Sequence, residues 1–218
     1  MTASDRAESP SILWFFDVVS PFSYLALPRV EALARRRPVL FRPVVLGALL
    51  AHWGGVGPAE IAPKRLHTYR LCQFMAERAG MPMRFPPRHP FRSLAALRLI
   101  TALGAEPGAV RAAFDFVWGE GRDPSEPAEL AALGGRLGVD DHDALVEARG
   151  AKAALRTITE EAAAAGVFGV PTLMIDGELF WGVDAMPLAE AYLENRDLFA
   201  QGEMARLAEL PVGVERRR

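Results

Sequence analysis

The chain has one cysteine, Cys72, which excludes an internal disulfide and any Cys-x-x-Cys redox or zinc site. It has no run of about eighteen apolar residues that would span a bilayer. Met1 to Pro10 are polar and lack the apolar core of a signal peptide. An excess of one charge is missing as well: 25 Lys and Arg stand against 27 Asp and Glu. No basic stripe therefore proposes nucleic acid as a partner, and Glu215-Arg216-Arg217-Arg218 reads as a solvated tail. His52, His67, His89 and His142 are scattered without metal-site spacing. These absences predict a soluble, cytoplasmic protein with no metal, no membrane partner and no nucleic acid. Cys72 itself, among Leu71, Phe74 and Met75, reads as a buried and inert helical thiol.

Half of the 218 residues are apolar, enough to bury a sizeable core in one domain or in one domain with an insertion. The most informative stretch runs from Phe15 to Ala26. Ile12 to Phe16 is a β-branched and aromatic run that predicts a strand. Leu25, Val30 and Leu33 then recur at helical spacing after Pro21, a residue favoured at the first helical position. Ser20 falls at the N-cap, where unpaired backbone N–H groups and the positive end of the helix dipole would stabilise a thiolate or an oxyanion. Capping alone accounts for a Ser in this place equally well.

Pro38 to Val45 reads as a second strand, parallel to the first across a helical crossover. Leu46 to Pro63, rich in Gly, Pro and Ala, reads as a loop over the mouth of the sheet. Helical periodicity then dominates: 66–79, 93–103, 109–118, 126–137, 141–149 and 151–165, with Gly or Pro between most segments. Ser125 is expected to cap the fourth of these, and Asp140, Asp141 and Asp143 place carboxylates at the start of the fifth. Val167 to Ile175 carries a Gly and a Pro at the entrance of an apolar strand. The turn Asp176-Gly177 follows, then a short strand, Glu178 to Trp181. Edge geometry explains Pro171, but a Val-Pro bond ahead of a hairpin is also a site for a cis proline, which is the expectation adopted for Val170-Pro171.

Strand, Ser20-Pro21-Phe22-Ser23-Tyr24 helix start, helical middle, Phe168-Gly169-Val170-Pro171-Thr172, hairpin and Trp181-Gly182-Val183-Asp184 together resemble the 2-hydroxychromene-2-carboxylate isomerases and the related kappa-class glutathione transferases, over nearly the whole chain. Phe114 to Gly121 is similar to a segment of the isomerases' helical domain. The resemblance implies an α/β fold: a DsbA-like, thioredoxin-like sheet, βαβ then ββα, with a large all-helical insertion. The expected organisation is a mobile leader at 1–10, a thioredoxin-like domain at 11–60 and 166–210, a helical insertion at 61–165 and a tail at 211–218.

The chemistry implied is that of glutathione. Ser20 takes the place of a redox cysteine and Ser23 that of its resolving partner, so disulfide exchange is excluded. A hydrogen bond from Ser20, with the helix terminus, would lower the pKa of the glutathione thiol. The implied reaction is the glutathione-dependent cis-trans interconversion of 2-hydroxychromene-2-carboxylate and trans-o-hydroxybenzylidenepyruvate in aromatic hydrocarbon breakdown. Val170, before Pro171, would pair with the glutathione backbone as an added strand, and Val183 lies in the same cofactor-binding region. Asp184 would receive the γ-glutamyl end or simply cap a helix, and Lys64 would face a carboxylate or stand in solvent. Phe22, Ser23 and Trp181 are candidates for the walls of an aromatic substrate pocket, although packing explains the aromatic pair equally.

The sequence departs from the family pattern at Gly55, Val183 and Ala185, and at His67, Leu71 and Phe74 in the middle helix. Each lost charge-assisted contact removes on the order of 1.5–3 kcal/mol of binding, which leaves two alternatives open: a kappa-type transferase or peroxidase for other electrophiles, and a non-catalytic binding protein. The resemblance implies a homodimer, and the apolar character of Trp53, Phe85, Phe91, Phe114 and Trp118, some of them core, leads to the same expectation.

Overall fold

A computed structural model describes residues 12–214; the expected leader at 1–10 and the end of the tail lie outside the described residues. β1 (Ile12–Phe16) leads into α1 (Pro21–Ala34) and β2 (Val39–Pro43). β3 (Thr172–Ile175) and β4 (Glu178–Trp181) form the hairpin. The sheet order is β2-β1-β3-β4, with β1 and β2 parallel and the other pairs antiparallel. This is the expected βαβ then ββα arrangement, and the Val170-Pro171 bond is cis as expected. His89-Pro90 is cis as well.

Between β2 and β3 lie α2 (Leu46–Trp53), α3 (Ala62–Arg78), α4 (Leu94–Ala102), α5 (Pro107–Phe114), α6 (Pro127–Arg136), α7 (His142–Glu147) and α8 (Arg149–Ala164). α9 (Met186–Glu194) and α10 (Gly202–Leu207) follow the hairpin. The loop expected over 46–63 is corrected: it holds α2, a 3-10 turn at Pro58–Glu60 and the start of α3. Leu46, Leu49, Leu50 and Trp53 recur at helical spacing, and Gly54, with φ at 62°, ends the helix in a conformation that glycine adopts without strain. Of the glycines and prolines that suggested a loop, only Gly47 lies within α2; the rest follow its last residue, Trp53.

Two caps differ from expectation. The N-cap of α6 is Glu126; Ser125 instead donates to the Asp123 carboxylate. The N-cap of α9 is Ala185, and Asp184 stands exposed before it. Asp141 does cap α7, its side chain accepting from Ala144 N at 2.9 Å.

Alternate residues of β1 feed two cores, as the two-residue period of a strand requires. Ile12, Trp14 and Phe16 point toward α1, α4 and α5, where the Trp14 and Phe16 rings lie 4.7 Å apart and the Phe114 ring packs 5.7 Å from Phe16. Phe15 points the other way, into a cluster with Val44, Leu49, Ala162, Val167 and Val170. α8 falls within the segment 61–165, yet it closes this second face of the sheet together with α2. After α5 the helix widens into a π-helical turn, Asp115–Gly119, which Glu120 N closes on Asp115 O at 2.9 Å and which buries Phe116, Val117 and Trp118.

Cys72 is fully buried on α3, and burial pushes its thiol up to about 12. Iodoacetamide at neutral pH is therefore expected to leave the native protein unmodified and to label one thiol only after denaturation, as read by intact mass. Labelling of the native protein would contradict this placement.

Candidate functional site

The site grows from the turn that joins β1 to α1. Ser20 is the N-cap of α1, with φ −88° and ψ 114°, and its Oγ accepts from Ser23 N at 3.2 Å. Pro21 follows at the first helical position, where its missing N–H costs no hydrogen bond. Ser20 is only 5% exposed. Among the described residues no acceptor takes the proton of its hydroxyl, which leaves the Ser20 O–H free to donate at a helix N-terminus.

Every residue from Asp17 to Ser20 is buried, so the polar groups of the turn need partners from elsewhere. Ser20 N donates to Asp17 O at 3.0 Å, and Val19 N donates to Asp17 Oδ1 at 3.0 Å. Leu46 N, at the start of α2, donates to Asp17 Oδ2 at 2.9 Å, and the Ser93 hydroxyl at the start of α4 also reaches this carboxylate. The Val18 carbonyl accepts from Trp118 Nε1 at 2.8 Å, and the Val19 carbonyl accepts from His89 Nε2 at 2.8 Å. Because a carbonyl only accepts, Nε2 carries the proton. Burial holds His89 below the ordinary histidine range, against the opposing pull of its bond to Val19. In the neutral ring Nδ1 is then an acceptor. The Tyr69 hydroxyl, 2.8 Å from Nδ1 and 2.7 Å from the His89 carbonyl, shares its one proton between them.

The second half of the site comes from the β3 approach. β1 and β3 pair with Phe15 opposite Thr172, so Val170, two residues before Thr172, approaches the sheet at the end where β1 leads into α1. Among the described residues no hydrogen bond engages the N–H or C=O of Val170. Thr172 Oγ1 donates to Gly169 O at 2.7 Å, and Gly182 N donates to Pro171 O at 2.8 Å, fixing the segment from both ends. A Cβ on Gly169 would lie 2.7 Å from Trp181 Nε1, so only glycine admits the indole there. Trp181 is 52% exposed and packs edge to face against the exposed Phe168, their ring centres 5.1 Å apart.

Of the sequence-predicted residues, the structure thus brings Ser20, Val170 and Pro171 to one end of the sheet. Phe22 and Val183 meet in a small apolar cluster with Leu25 and Cys72, so Val183 faces packing rather than solvent. Ser23 is completely buried, and its hydroxyl has no partner among the described residues. Lys64 stands exposed on the first turn of α3. Among the described residues no group of three His, Cys, Asp or Glu is placed to hold a metal ion. A cleft of about 440 Å³ lies between α2, α4 and α8, lined by Val45, Leu94, Leu155 and Thr159. It contains none of the residues above, and its cations are paired, Arg98 and Lys152 with Glu147 and Arg156 with Glu160.

Sequence reading missed Asp17, Tyr69, His89, Ser93 and Trp118. Asp17 alone carried a signal, since a short carboxylate two residues before a turn N–H is the pattern of an Asx turn. The others act from distant segments.

The chain matches the DSBA-like thioredoxin domain family over residues 11–194. It is 32% identical over 192 residues to a 2-hydroxychromene-2-carboxylate isomerase of Sphingobium xenophagum, covering 84% of this chain and 97% of that one. It is 27% identical over 208 residues to glutathione s-transferase kappa 2 of Caenorhabditis elegans, covering 84% of this chain and 91% of that protein. A solved 2-hydroxychromene-2-carboxylate isomerase superposes with a TM-score of 0.74 at 26% identity, over 93% of this chain and 100% of the other.

Burial pushes the Asp17 carboxyl up to about 6, against the hydrogen bonds from Val19, Leu46 and Ser93. A folded-state value above the ordinary 3.8 means the folded protein binds the proton more tightly. The resulting stability is fully present below pH about 3.8 and is lost as the pH rises through about 6. The shift corresponds to about 3 kcal/mol. Asp17→Asn is expected to remove this pH-dependent loss, as measured by urea denaturation at pH 4.5 and pH 7.5. An unchanged pH slope would show that Asp17 titrates normally.

Proposed function

Because the chain belongs to the DSBA-like thioredoxin domain family and, within it, to the 2-hydroxychromene-2-carboxylate isomerases, we propose that it is a glutathione-dependent cis-trans isomerase acting on 2-hydroxychromene-2-carboxylate or a close aromatic analogue. The observation that carries this reading is the Ser20 hydroxyl, whose proton is uncommitted at the N-terminus of α1. Glutathione supplies, when bound, a thiolate that adds reversibly to a conjugated double bond and so lets a fixed geometry rotate. Two features fit that group: the Ser20 donor and the unengaged N–H and C=O of Val170.

Ser20 donates its hydroxyl proton toward the sulfur, and the α1 terminus adds a positive potential, so that negative charge is favoured there. Val170 offers one donor and one acceptor, the pattern that aligns an extended peptide as an additional strand. Trp181 and Phe168 present exposed aromatic faces close to that edge and suit an aromatic substrate. Asp184 is free to meet an ammonium group, and Lys64 a carboxylate. The single buried cysteine and the thiol cofactor suit a reducing cytoplasm. Among the described residues no helix is long and apolar enough to cross a membrane. The kappa-type relative supports a second reading, transfer of glutathione to other electrophiles. An absorbance assay on the hydroxychromene separates the two.

Ser20→Ala is expected to cost about 1 kcal/mol of stability as a lost cap and to lower glutathione-dependent turnover by ~10²-fold or more. Calorimetric titration should still show glutathione binding to the variant. Full turnover without the hydroxyl would sink the role assigned to Ser20, and the absence of binding to the unmodified protein would sink the cofactor.

We also propose a homodimer, on a surface that keeps Trp53 alone of the five residues from which the sequence predicted it. Phe114 and Trp118 are fully buried, and Phe85 and Phe91 pack against the core. The exposed apolar side chains run instead from α2 to α3: Trp53, Val56, Ile61, Leu66, Leu71 and Phe74. A stable pairing buries more than about 1,200 Å² in total. Light scattering at micromolar concentration is expected to give twice the chain mass, and Phe74→Glu to halve it; a monomer mass for the unmodified protein refutes the pairing.

A further inference from the structure

We propose that the buried carboxylate of Asp17 is a positioning residue whose negative charge sets how readily a thiol ionises at Ser20. The inference rests on the reading of Ser20 as the thiol anchor. Asp17 and Ser20 are fixed relative to each other, because Ser20 N donates to the Asp17 carbonyl at 3.0 Å within one turn. The Asp17 side chain is held by Val19 N, Leu46 N and the Ser93 hydroxyl, and it is 1% exposed.

No cation answers this carboxylate among the described residues. The helix starts nearest in the fold, Leu46 to Leu49 of α2, Ser93 to Leu97 of α4 and Pro21 to Tyr24 of α1, carry no residue that is charged at neutral pH. The titratable groups on the elements packed around the turn are otherwise committed. His89 is neutral and bonded to Val19, the Tyr24 hydroxyl donates to Pro82 O at 2.7 Å, Arg98 pairs with Glu147, and Arg42 of β2 pairs with Glu161. A neutral Asn or Ser would serve as a hydrogen-bond acceptor here. A bare charge does more, because it acts on whatever else ionises in the same turn.

Two anions so placed oppose each other. Ionised Asp17 holds the thiol pKa up, while the α1 dipole and the Ser20 hydroxyl pull it down. The balance has a chemical use: the nucleophilicity of a thiolate falls with its pKa, so a thiolate stabilised without opposition would add poorly to a double bond. Coupling is reciprocal, and a thiolate at Ser20 must equally keep Asp17 protonated to higher pH.

Ser20→Cys places a thiol of the protein's own at this position, so the test needs neither glutathione nor turnover. Failure of glutathione to bind would overturn the functional reading, whereas failure of this inference is read from the introduced thiol alone, so the two failures are distinguishable. The buried Cys72 contributes no background. The alkylation rate of the variant is measured against pH, alone and with Asp17→Asn added. The midpoint is expected to fall by roughly one pH unit in the double variant, and an unchanged midpoint overturns the proposal. Should the double variant fail to fold, a second measurement uses Ser20→Cys alone. The Asp17 carboxyl is titrated by carbon NMR in two samples, one in which iodoacetamide has converted the introduced thiol to a neutral thioether and one in which iodoacetate has converted it to an anionic one. The Asp17 midpoint is expected to be higher beside the anionic thioether, and a midpoint indifferent to that charge overturns the proposal.

Discussion

Everything at the candidate site depends on how the chain satisfies the polar groups between Phe16 and Pro21. β1 ends inside the protein, and the four residues after it are all buried. Each backbone group left unpaired there would cost on the order of 1–3 kcal/mol. The turn cannot satisfy itself: two of its carbonyls and Oδ2 of Asp17 take their partners from side chains and an amide outside it. Those partners arrive from the π-helical turn, from the connection between α3 and α4, and from the first residues of α2 and α4. The orientation of Ser20 is therefore a property of the packing of the helical block on the sheet, not of the local sequence alone.

That arrangement explains how a fold shared with thiol-disulfide proteins carries a hydroxyl without losing its shape. A serine at the N-cap keeps the capping bond to Ser23 N that stabilises α1. The loop after β4 bears a different load. Val183 is drawn into apolar contact with Phe22 and Leu25, and Ala185 packs against the main core. Only Asp184 remains turned to solvent. The departures from the family pattern at these positions thus add packing where the resemblance implies polar contacts, while the positions that shape the helix start and the β3 approach are retained.

Much of this was legible in the sequence because it is local. A β-branched run, a Ser-Pro step, a Val-Pro step before an Asp-Gly turn and helical spacing of leucines each reflect forces within a few residues. The α2 segment is hard to read because the glycines and prolines that follow it dominate the composition averaged over 46–63 and hide the spacing of Leu46, Leu49 and Trp53. Trp118 and His89 were illegible for a different reason. Each donates one hydrogen bond to a carbonyl 70 or more residues away, and nothing in Arg88-His89-Pro90 or Val117-Trp118-Gly119 announces where that carbonyl is. Which of Trp53, Phe85, Phe91, Phe114 and Trp118 are core is not legible either, because apolar content in a helical segment does not say which side faces the sheet.

The indole of Trp118 has a bearing on modularity. The helical segment interrupts the sheet-forming parts of the chain, and an interruption of that kind invites the picture of a detachable module inserted into an older domain. Here the insert supplies the donors to Val18 and Val19 and three buried aromatic side chains of the main core, Phe114, Phe116 and Trp118. Excising it would not return a smaller domain with the same active end. It would expose the floor of that end to water and strip two carbonyls of their partners, so insertion and host have become a single inheritable unit.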